Sequence, residues 1–443
     1  MEYIPRTETE EKEMLAATGV ADFEQLLDIP AEVRLARPLH LPAPQSQMEL
    51  KRHMEEVAQR NNTGLSFLGG GSYDHHIPAT VAYVLSRSEF STAYTPYQAE
   101  MSQGVLQTIY EYQTLICRLT GMGVANASLY DGASALAEAA RMAMRVTKRN
   151  RIVIAQGVHP HHRQVVATYL SGLDGVGMDV VAYQAGQTPH AAIKTALSDE
   201  TAAVLIQHPN FFGQLEAVDE IAHLAHARGA LLVMSVDPIS LGIVKTPGEY
   251  GADIAVGEGQ GMGNATSYGG PYVGFFATRR DLIRQMPGRI VGRTTDATGR
   301  PGFCLTLQTR EQHIRREKAT SNICTNQALN ALAATVYLAT VGKAGLRDVA
   351  LLCLKNAHIA AQKITALPGY LAPFGGPFFN EFVVQTPVPV PALLARLTRE
   401  GIFGGIDLGA YDAALPNHLL ICVTEKHTEA DLHRLVCALQ DAS

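Results

Sequence analysis

The sequence lacks the features that mark several large classes of protein. Its six cysteines are scattered along the chain: Cys117, Cys304, Cys324, Cys353, Cys422 and Cys437. They form no C-x-x-C pair, which argues against a disulfide framework and against a zinc knuckle. The formal net charge of -6 leaves no basic surplus to neutralise phosphates, so we expect no nucleic-acid partner. No G-x-S-x-G, H-E-x-x-H or paired Cys/His pattern occurs, which disfavours a simple hydrolase or a metalloenzyme.

Targeting features are missing as well. The chain opens with a polar, acidic stretch through Glu13, which resembles neither a signal peptide nor an Arg-rich transit peptide. No apolar span long enough to cross a membrane is evident in the sequence. We therefore expect a cytoplasmic protein that has no membrane partner.

The length and composition predict a large core divided between unequal domains. A chain of 443 residues with 47% hydrophobic content exceeds what one core usually supports. Residues 1–65 contain two helical patterns around a Pro-spaced stretch and are predicted to form an N-terminal helical arm. Residues 66–330 are predicted to form a large α/β domain, and residues 331–443 a small C-terminal α+β domain.

Strand and helix patterns alternate in the middle of the chain. Strands are predicted at 151–155, 180–183, 203–207, 231–235, 253–256 and 272–277, with helices between the first four. Such alternation predicts a mostly parallel sheet that helices cover on both faces. Two successive helices are predicted after residue 325, and a turn is predicted at 401–405. The final helix is predicted to begin at Thr428 with a capping box that ends at Asp431.

Polar residues follow several of these strands and suit an aromatic cofactor. His159 follows the first strand and could stack on a ring, and Asp237 follows the fourth and could hold a pyridine nitrogen. The helix that starts near Ala133 or Ser134 could receive a phosphate at its N-terminus. The blander interpretations are a turn cap for Asp237 before Pro238 and a metal cluster for His159 and the two histidines at 161–162. Because no carboxylate lies at ligand spacing from those histidines, we expect no metal.

Four long motifs carry a family resemblance. They are FLGGGSYDHHIP at 67–78, YTPYQAEMSQ at 94–103, ANASLYD at 125–131 and YGGPYVGFF at 268–276. In these motifs the chain resembles the P-protein of the glycine cleavage system. Its length is similar to that of the α subunit, subunit 1, of the split bacterial form of that protein.

The resemblance implies a fold, a reaction and partners. The implied fold is that of PLP-dependent aminotransferases, known as fold type I. In the implied reaction glycine loses its carboxylate as carbon dioxide, with pyridoxal phosphate (PLP) as the electron sink. The aminomethyl group then passes to the lipoyl arm of the H-protein. The implied partner is a PLP-bearing β subunit, with two copies of each subunit in a heterotetramer.

The lysine that would bind PLP covalently is missing from its expected place. In folds of this type that lysine follows the pyridine-binding Asp by roughly two dozen residues. Counting forward from Asp237 leads to 258–263, EGQGMG, which contains no lysine. Lys245 is the nearby alternative, but it lies too close to Asp237 in a loop where exposure is expected. We therefore expect no covalent PLP on this chain and no activity of the chain alone. Ser134, His159 and Asp237 would be vestigial.

The resemblance also implies that this chain completes the active site of its partner. In relatives of this fold the site lies at a dimer interface, which the loops near the N-terminus approach. The residues predicted to contribute are Tyr73, Asp74, His75, Tyr94 and Tyr97. The alternative for each is interface packing or a buried turn. Two other functions stay open: a self-sufficient PLP enzyme with an unrecognised lysine, and a scaffold subunit that donates no side chain to chemistry.

Overall fold

A computed structural model describes residues 6–30, 32–35, 37–61, 63–91 and 93–441. The chain divides into two compact units, Met1–Asn62 and Thr63–Ser443. The first contains helices α1 (Glu8–Thr18) and α2 (Gln47–Ala58), and each begins with a capping box, as its Thr/Ser-x-x-Glu sequence dictates. None of the described residues of this unit is buried in the chain. The predicted helical arm thus carries no core of its own.

The second unit contains the remaining helices and strands. Up to residue 208 these are β1 (Leu65–Ser66), α3 (Ala79–Leu85), α4 (Gln103–Thr120), β2 (Val124–Ala125), α5 (Gly132–Thr147), β3 (Arg151–Ala155), α6 (Pro160–Ser171), β4 (Gly177–Val181), α7 (His190–Ala196) and β5 (Thr201–His208). From there to residue 365 they are α8 (Val218–Ala227), β6 (Leu231–Val236), β7 (Ile254–Glu258), β8 (Gly274–Thr278), β9 (Ile290–Thr295), β10 (Pro301–Thr306), α9 (Gln312–Arg315) and α10 (Ala328–Thr365). The last are β11 (Glu381–Gln385), α11 (Val390–Arg399), β12 (Ile402–Phe403), β13 (Ile406–Asp407), β14 (His418–Cys422) and α12 (Glu429–Gln440).

A seven-stranded sheet forms the centre of this unit, in the order β2-β8-β7-β6-β5-β3-β4. The strands from β7 to β4 run parallel, and β8 and β2 run antiparallel to their neighbours. Every residue of β6 is buried, because helices cover both faces of the sheet. The predicted α/β fold with a mostly parallel sheet is confirmed. The carboxyl ends of the parallel strands meet at one edge, where ligands bind in open sheets.

The hairpin of β9 and β10 was not among the predicted elements. Its register pairs Ile290 with Thr306 and Thr295 with Pro301. Asp296 closes the turn by accepting hydrogen bonds from two backbone N–H groups. The hairpin packs on α4 through Val291 and Leu305.

The two successive helices expected after residue 325 are the two halves of α10. Its two halves meet at Gly342, whose φ of 60° breaks the helical geometry. The helix is long and apolar enough, by length and composition, to cross a membrane. However, 44% of its apolar 18-residue stretch is buried inside the protein, as in a core helix.

The C-terminal region forms a smaller antiparallel sheet in the order β11-β14-β13. The turn predicted at 401–405 instead contains β12, because Ile402 and Phe403 pair in parallel with β1. The capping box at Thr428 is confirmed. One hydrophobic cluster surrounds the large sheet and a separate one lies beneath the small sheet. The cluster around the large sheet extends past residue 330 to include Tyr337, Cys353 and Phe379, so helix α10 contributes to both clusters.

Candidate functional site

A cavity lies at the carboxyl ends of the parallel strands. Its lining residues come from the loop after β1, the exits of β3, β5, β6 and β7, and the start of β11. They are Gly71, Tyr73, His159, His162, Gln207, Pro209, Ser235, Val236, Asp237, Glu258, Asn380 and Glu381. The structure thus brings together the predicted residues Tyr73, His159 and Asp237.

Asp237 divides its two oxygens between different environments. Its Oδ1 accepts a hydrogen bond from the backbone N–H of Ile239 at 3.0 Å, which is the turn bond expected for an aspartate before Pro238. Its Oδ2 is buried and has no hydrogen-bond partner. Burial raises the pKa of this carboxyl group, because a desolvated charge is costly. The turn bond therefore leaves one oxygen available for another group.

His159 is held in one orientation and one tautomer. Its Nδ1 accepts from the backbone N–H of His161, so its Nε2 donates to the carbonyl of Gly70 at 2.7 Å. Burial lowers the pKa of His159 to about 3, which keeps the ring neutral. The ring stacks on His162, with 4.8 Å between centroids. Among the described residues, potential metal-ligating atoms converge away from these histidines. They belong to His75, Cys353 and Glu425.

The N-terminus of α5 is already occupied by carboxylates. Asp131 caps the helix by accepting from the N–H of Ser134 at 2.7 Å. Glu258 accepts from the N–H of Gly132 at 3.0 Å and also from the backbone N–H groups of Gln260 and Val273. These are the donors that a cofactor phosphate would need. The residues present therefore do not fit the phosphate of PLP.

The residues also lack a lysine for the cofactor. Lys245 pairs with Asp219 at 2.7 Å and lies over the ring of Tyr250, so it belongs to a surface cluster. Among the described residues that line the cavity there is no lysine. In the segment after β7, Gln260 instead clamps the backbone of Tyr73, accepting from its N–H at 2.8 Å and donating to its carbonyl at 3.0 Å.

Tyr73 and Glu381 close one side of the cavity. The hydroxyl of Tyr73 donates to Glu381 at 2.8 Å, and the other oxygen of Glu381 accepts from the N–H of Gly70 at 2.6 Å. Burial raises the pKa of Glu381 to about 7. Sequence reasoning missed both Glu381 and Glu258.

The predicted residues Asp74 and His75 make ion pairs within the chain. Buried His75 pairs through Nδ1 with Glu425 at 2.7 Å. Burial opposes the charged forms of both groups, but their hydrogen bond and mutual attraction outweigh it, raising the pKa of His75 and lowering that of Glu425 to about 2. Exposed Asp74 pairs with Lys426 at 2.6 Å.

The predicted residues Tyr94 and Tyr97 lie in a different place. Their exposed fractions are 81% and 52%. The guanidinium of buried Arg289 donates to the hydroxyl of Tyr97 at 2.8 Å and lies 5.1 Å from the centre of its ring. Arg289 also pairs with Glu311 at 3.3 Å. A second open cavity joins Tyr94 and Arg289 to Ser128 and Asn326. The five predicted residues thus form two groups. Tyr73, Asp74 and His75 bond to other side chains of the same chain, and Tyr94 and Tyr97 are largely exposed.

Comparison with known proteins gives a consistent assignment. The family model described as "Glycine cleavage system P-protein" matches residues 1–439. Probable glycine dehydrogenase (decarboxylating) subunit 1 of Carboxydothermus hydrogenoformans is 54% identical over 440 residues, which is 98% of each chain. The protein of the same description from Desulforamulus reducens is 54% identical over 444 residues, covering 99% of each chain.

Solved structures agree with these relatives. An inhibitor-bound crystal structure of glycine decarboxylase (P-protein) of the glycine cleavage system is 43% identical, with a TM-score of 0.92 over 100% of both chains. A sphingosine-1-phosphate lyase from Burkholderia pseudomallei has a TM-score of 0.66 at 14% identity, over 94% of both chains. The latter likeness concerns the fold alone, and it agrees with the expected fold of PLP-dependent enzymes.

Proposed function

Because this chain belongs to the glycine cleavage system P-protein family, we propose that it is subunit 1 of a split glycine dehydrogenase (decarboxylating). With a partner β subunit it decarboxylates glycine and transfers the aminomethyl group to the lipoyl arm of the H-protein. We propose two copies of each subunit in the complex. The six free cysteines fit a reducing compartment, and we place the complex in the cytoplasm.

We propose that PLP is bound by the partner subunit, where it supplies the electron sink for the loss of carbon dioxide. The observation that carries this proposal is the contact between Glu258 and the N–H of Gly132. The carboxyl group of Glu258 takes up a backbone N–H donor at this helix start, at the position where the fold would bind a phosphate. Without a lysine in the cavity, this chain also has no amine to form an imine. A self-sufficient PLP enzyme is therefore disfavoured.

The contribution of this chain to the reaction is then assigned to the Arg289 surface, defined as Tyr94, Tyr97 and Arg289 with the cavity beside them. Exposed tyrosines beside a buried arginine have the composition of protein interfaces. Asp74 and His75 form ion pairs within the chain. We therefore assign them a structural role, which is to hold in place the loop that precedes the Arg289 surface in the sequence. The N-terminal unit supports a partner as well, because it exposes large apolar side chains such as Met14, Phe23 and Leu50.

Reconstitution tests the proposal. This chain, its partner and lipoylated H-protein are mixed, and the release of labelled carbon dioxide from carboxyl-labelled glycine is measured. We expect no release from this chain alone, no yellow absorbance after incubation with PLP, and full activity with the partner.

The Tyr97→Ala complex should lose activity. Unchanged activity of Tyr97→Ala and His75→Ala in an intact complex would support the scaffold alternative instead. Sedimentation of the complex measures the stoichiometry.

A further inference from the structure

The cavity at the carboxyl ends of the strands contains buried polar atoms that can accept hydrogen bonds, the histidine nitrogen in one tautomer of its neutral ring. Oδ2 of Asp237 and Nδ1 of His162 are buried without partners. Each oxygen of Glu381 accepts one bond, from Gly70 and from Tyr73, although a carboxylate offers about four acceptor positions. Because buried polar atoms are nearly always satisfied, a donor is expected to complete this set.

The same cavity contains no fixed cation. Neither lysine nor arginine is present among the described residues that line it. Burial lowers the pKa of His159 to about 3 and that of His162 to about 4, so both rings are neutral near pH 7. The charge of His75 is nearby and already paired, since its Nδ1 lies 2.7 Å from Glu425. The lining therefore presents carboxyl groups and neutral acceptors.

We propose that this cavity binds a small protonated primary amine, of the size of ammonium or methylammonium. An ammonium head supplies several N–H donors and one positive charge. Asp237 would accept through Oδ2, and His162 and Glu381 would provide further acceptors around the head. Charge-assisted bonds of this kind are about twice as strong as neutral ones.

The fixed groups select against other ligands. The carboxyl group of Glu258 fills the helix start, so inorganic phosphate finds this backbone donor already taken where the fold would otherwise attract it. A zwitterionic amino acid brings a carboxylate that finds no cation in the lining. Tyr73 lines the cavity and is held in place by Gln260 and Glu381. The volume open to a water-sized group is about 30 Å³, which limits the ligand to a short amine.

Calorimetric titration of the full-length chain with methylammonium chloride at constant ionic strength tests the proposal. We expect one saturable site. Glycine, inorganic phosphate and potassium chloride at the same ionic strength should give no saturable heat. Asp237→Asn should weaken methylammonium binding at least tenfold, because the amide keeps the shape of the side chain but cannot ionise to pair with the ammonium head. The matched control is Asp219→Asn, which changes an exposed carboxylate paired with Lys245 and should bind like the unchanged chain.

Several outcomes would overturn the proposal. One is a folded chain that shows no saturable methylammonium binding, and another is equal affinity for potassium, since potassium donates no hydrogen bond. A third is an Asp237→Asn chain that keeps full affinity. If circular dichroism shows that Asp237→Asn does not fold, His162→Phe decides: weakened binding supports the site and unchanged binding rejects it. The site does not depend on the proposed activity, because the titration uses this chain without its partner.

Discussion

The segments around Tyr73 and around Tyr97 differ in where their polar groups are directed. At the first, Tyr73, Asp74 and His75 bond to Glu381, Lys426 and Glu425 of the same chain. At the second, Tyr94 and Tyr97 remain largely exposed over Arg289. Both segments belong to motifs of the same family resemblance, so a motif alone does not separate a residue that supports the fold from one that is available to a partner. The bonds made within the chain and the exposure of each side chain are the basis on which we propose to separate them.

The largest effect is expected from breaking the pair of His75 and Glu425. Replacing Glu425 with alanine leaves a buried histidine charge unpaired, which costs about 3–5 kcal/mol of unfolding free energy. Urea unfolding of the isolated chain measures this loss. The control is Lys426→Ala, which breaks the exposed pair with Asp74 and should cost roughly 0–1 kcal/mol. Equal effects of the two changes would contradict the distinction between buried and exposed pairs.

The same pair should produce a dependence of stability on pH. The pKa of Glu425 falls from 4.5 to about 2 on folding, so its contribution is present above pH 4.5 and is lost as the pH falls towards 2. His75 has a raised pKa, so its contribution is complete below 6.5 and declines as the pH rises through the folded value. Urea midpoints across this range should show the stability difference between the unchanged chain and Glu425→Ala shrinking towards pH 2. A difference that stays constant from pH 5 to 2 would refute this assignment.

A substitution in the exposed segment around Tyr97 should change the affinity for the partner and not the stability of the chain. Replacing Tyr94 with alanine removes an exposed aromatic contact, for which a loss of about 2 kcal/mol of binding energy, or roughly 30-fold in affinity for the partner, is expected. The stability of the isolated chain should change by less than about 0.5 kcal/mol. Biosensor titration with the partner measures the affinity. Tyr83→Ala is the matched control, because Tyr83 is 66% exposed and belongs to neither segment. Equal losses for both variants would show that the effect is not specific to the Arg289 surface.

The smallest effects are expected from removing single hydroxyl groups. Tyr73→Phe leaves an oxygen of Glu381 without its donor and should cost about 1–3 kcal/mol of stability. Tyr97→Phe removes one bond to Arg289 at a half-exposed position and should leave stability nearly unchanged while lowering the activity of the complex. Thermal unfolding and decarboxylation rates, measured on both variants, give the comparison. The reverse pattern would exchange the roles assigned to the two tyrosines.

The sequence predicted the sheet because its strands are continuous apolar runs between helical patterns. The strand at Arg151–Ala155 and the capping box at Thr428 were placed correctly, since local rules determine both. The hairpin of β9 and β10 was missed, although Asp296 and Gly299 between its strands have the composition of a turn.

The candidate site was less predictable because its defining contacts are remote in the chain. Asp131 could have been recognised from the sequence as the cap of α5, since an aspartate before a helix start commonly accepts from its N–H groups. Glu258 lies 126 residues from its partner Gly132, and Glu425 lies 350 residues from His75. Only the arrangement of strands in space brings such pairs together, and one sequence contains no record of it.

The carboxyl group of Glu258 also affects how readily this chain could evolve covalent PLP binding. A lysine introduced among the residues that line the cavity at the strand ends would supply a reactive amine by a single replacement. It would leave the start of α5 filled by a carboxyl group that is fixed through three backbone N–H groups. If the partner binds PLP as proposed, covalent PLP binding by this chain would therefore require two replacements together. Such a requirement makes the division of labour between the two subunits hard to undo.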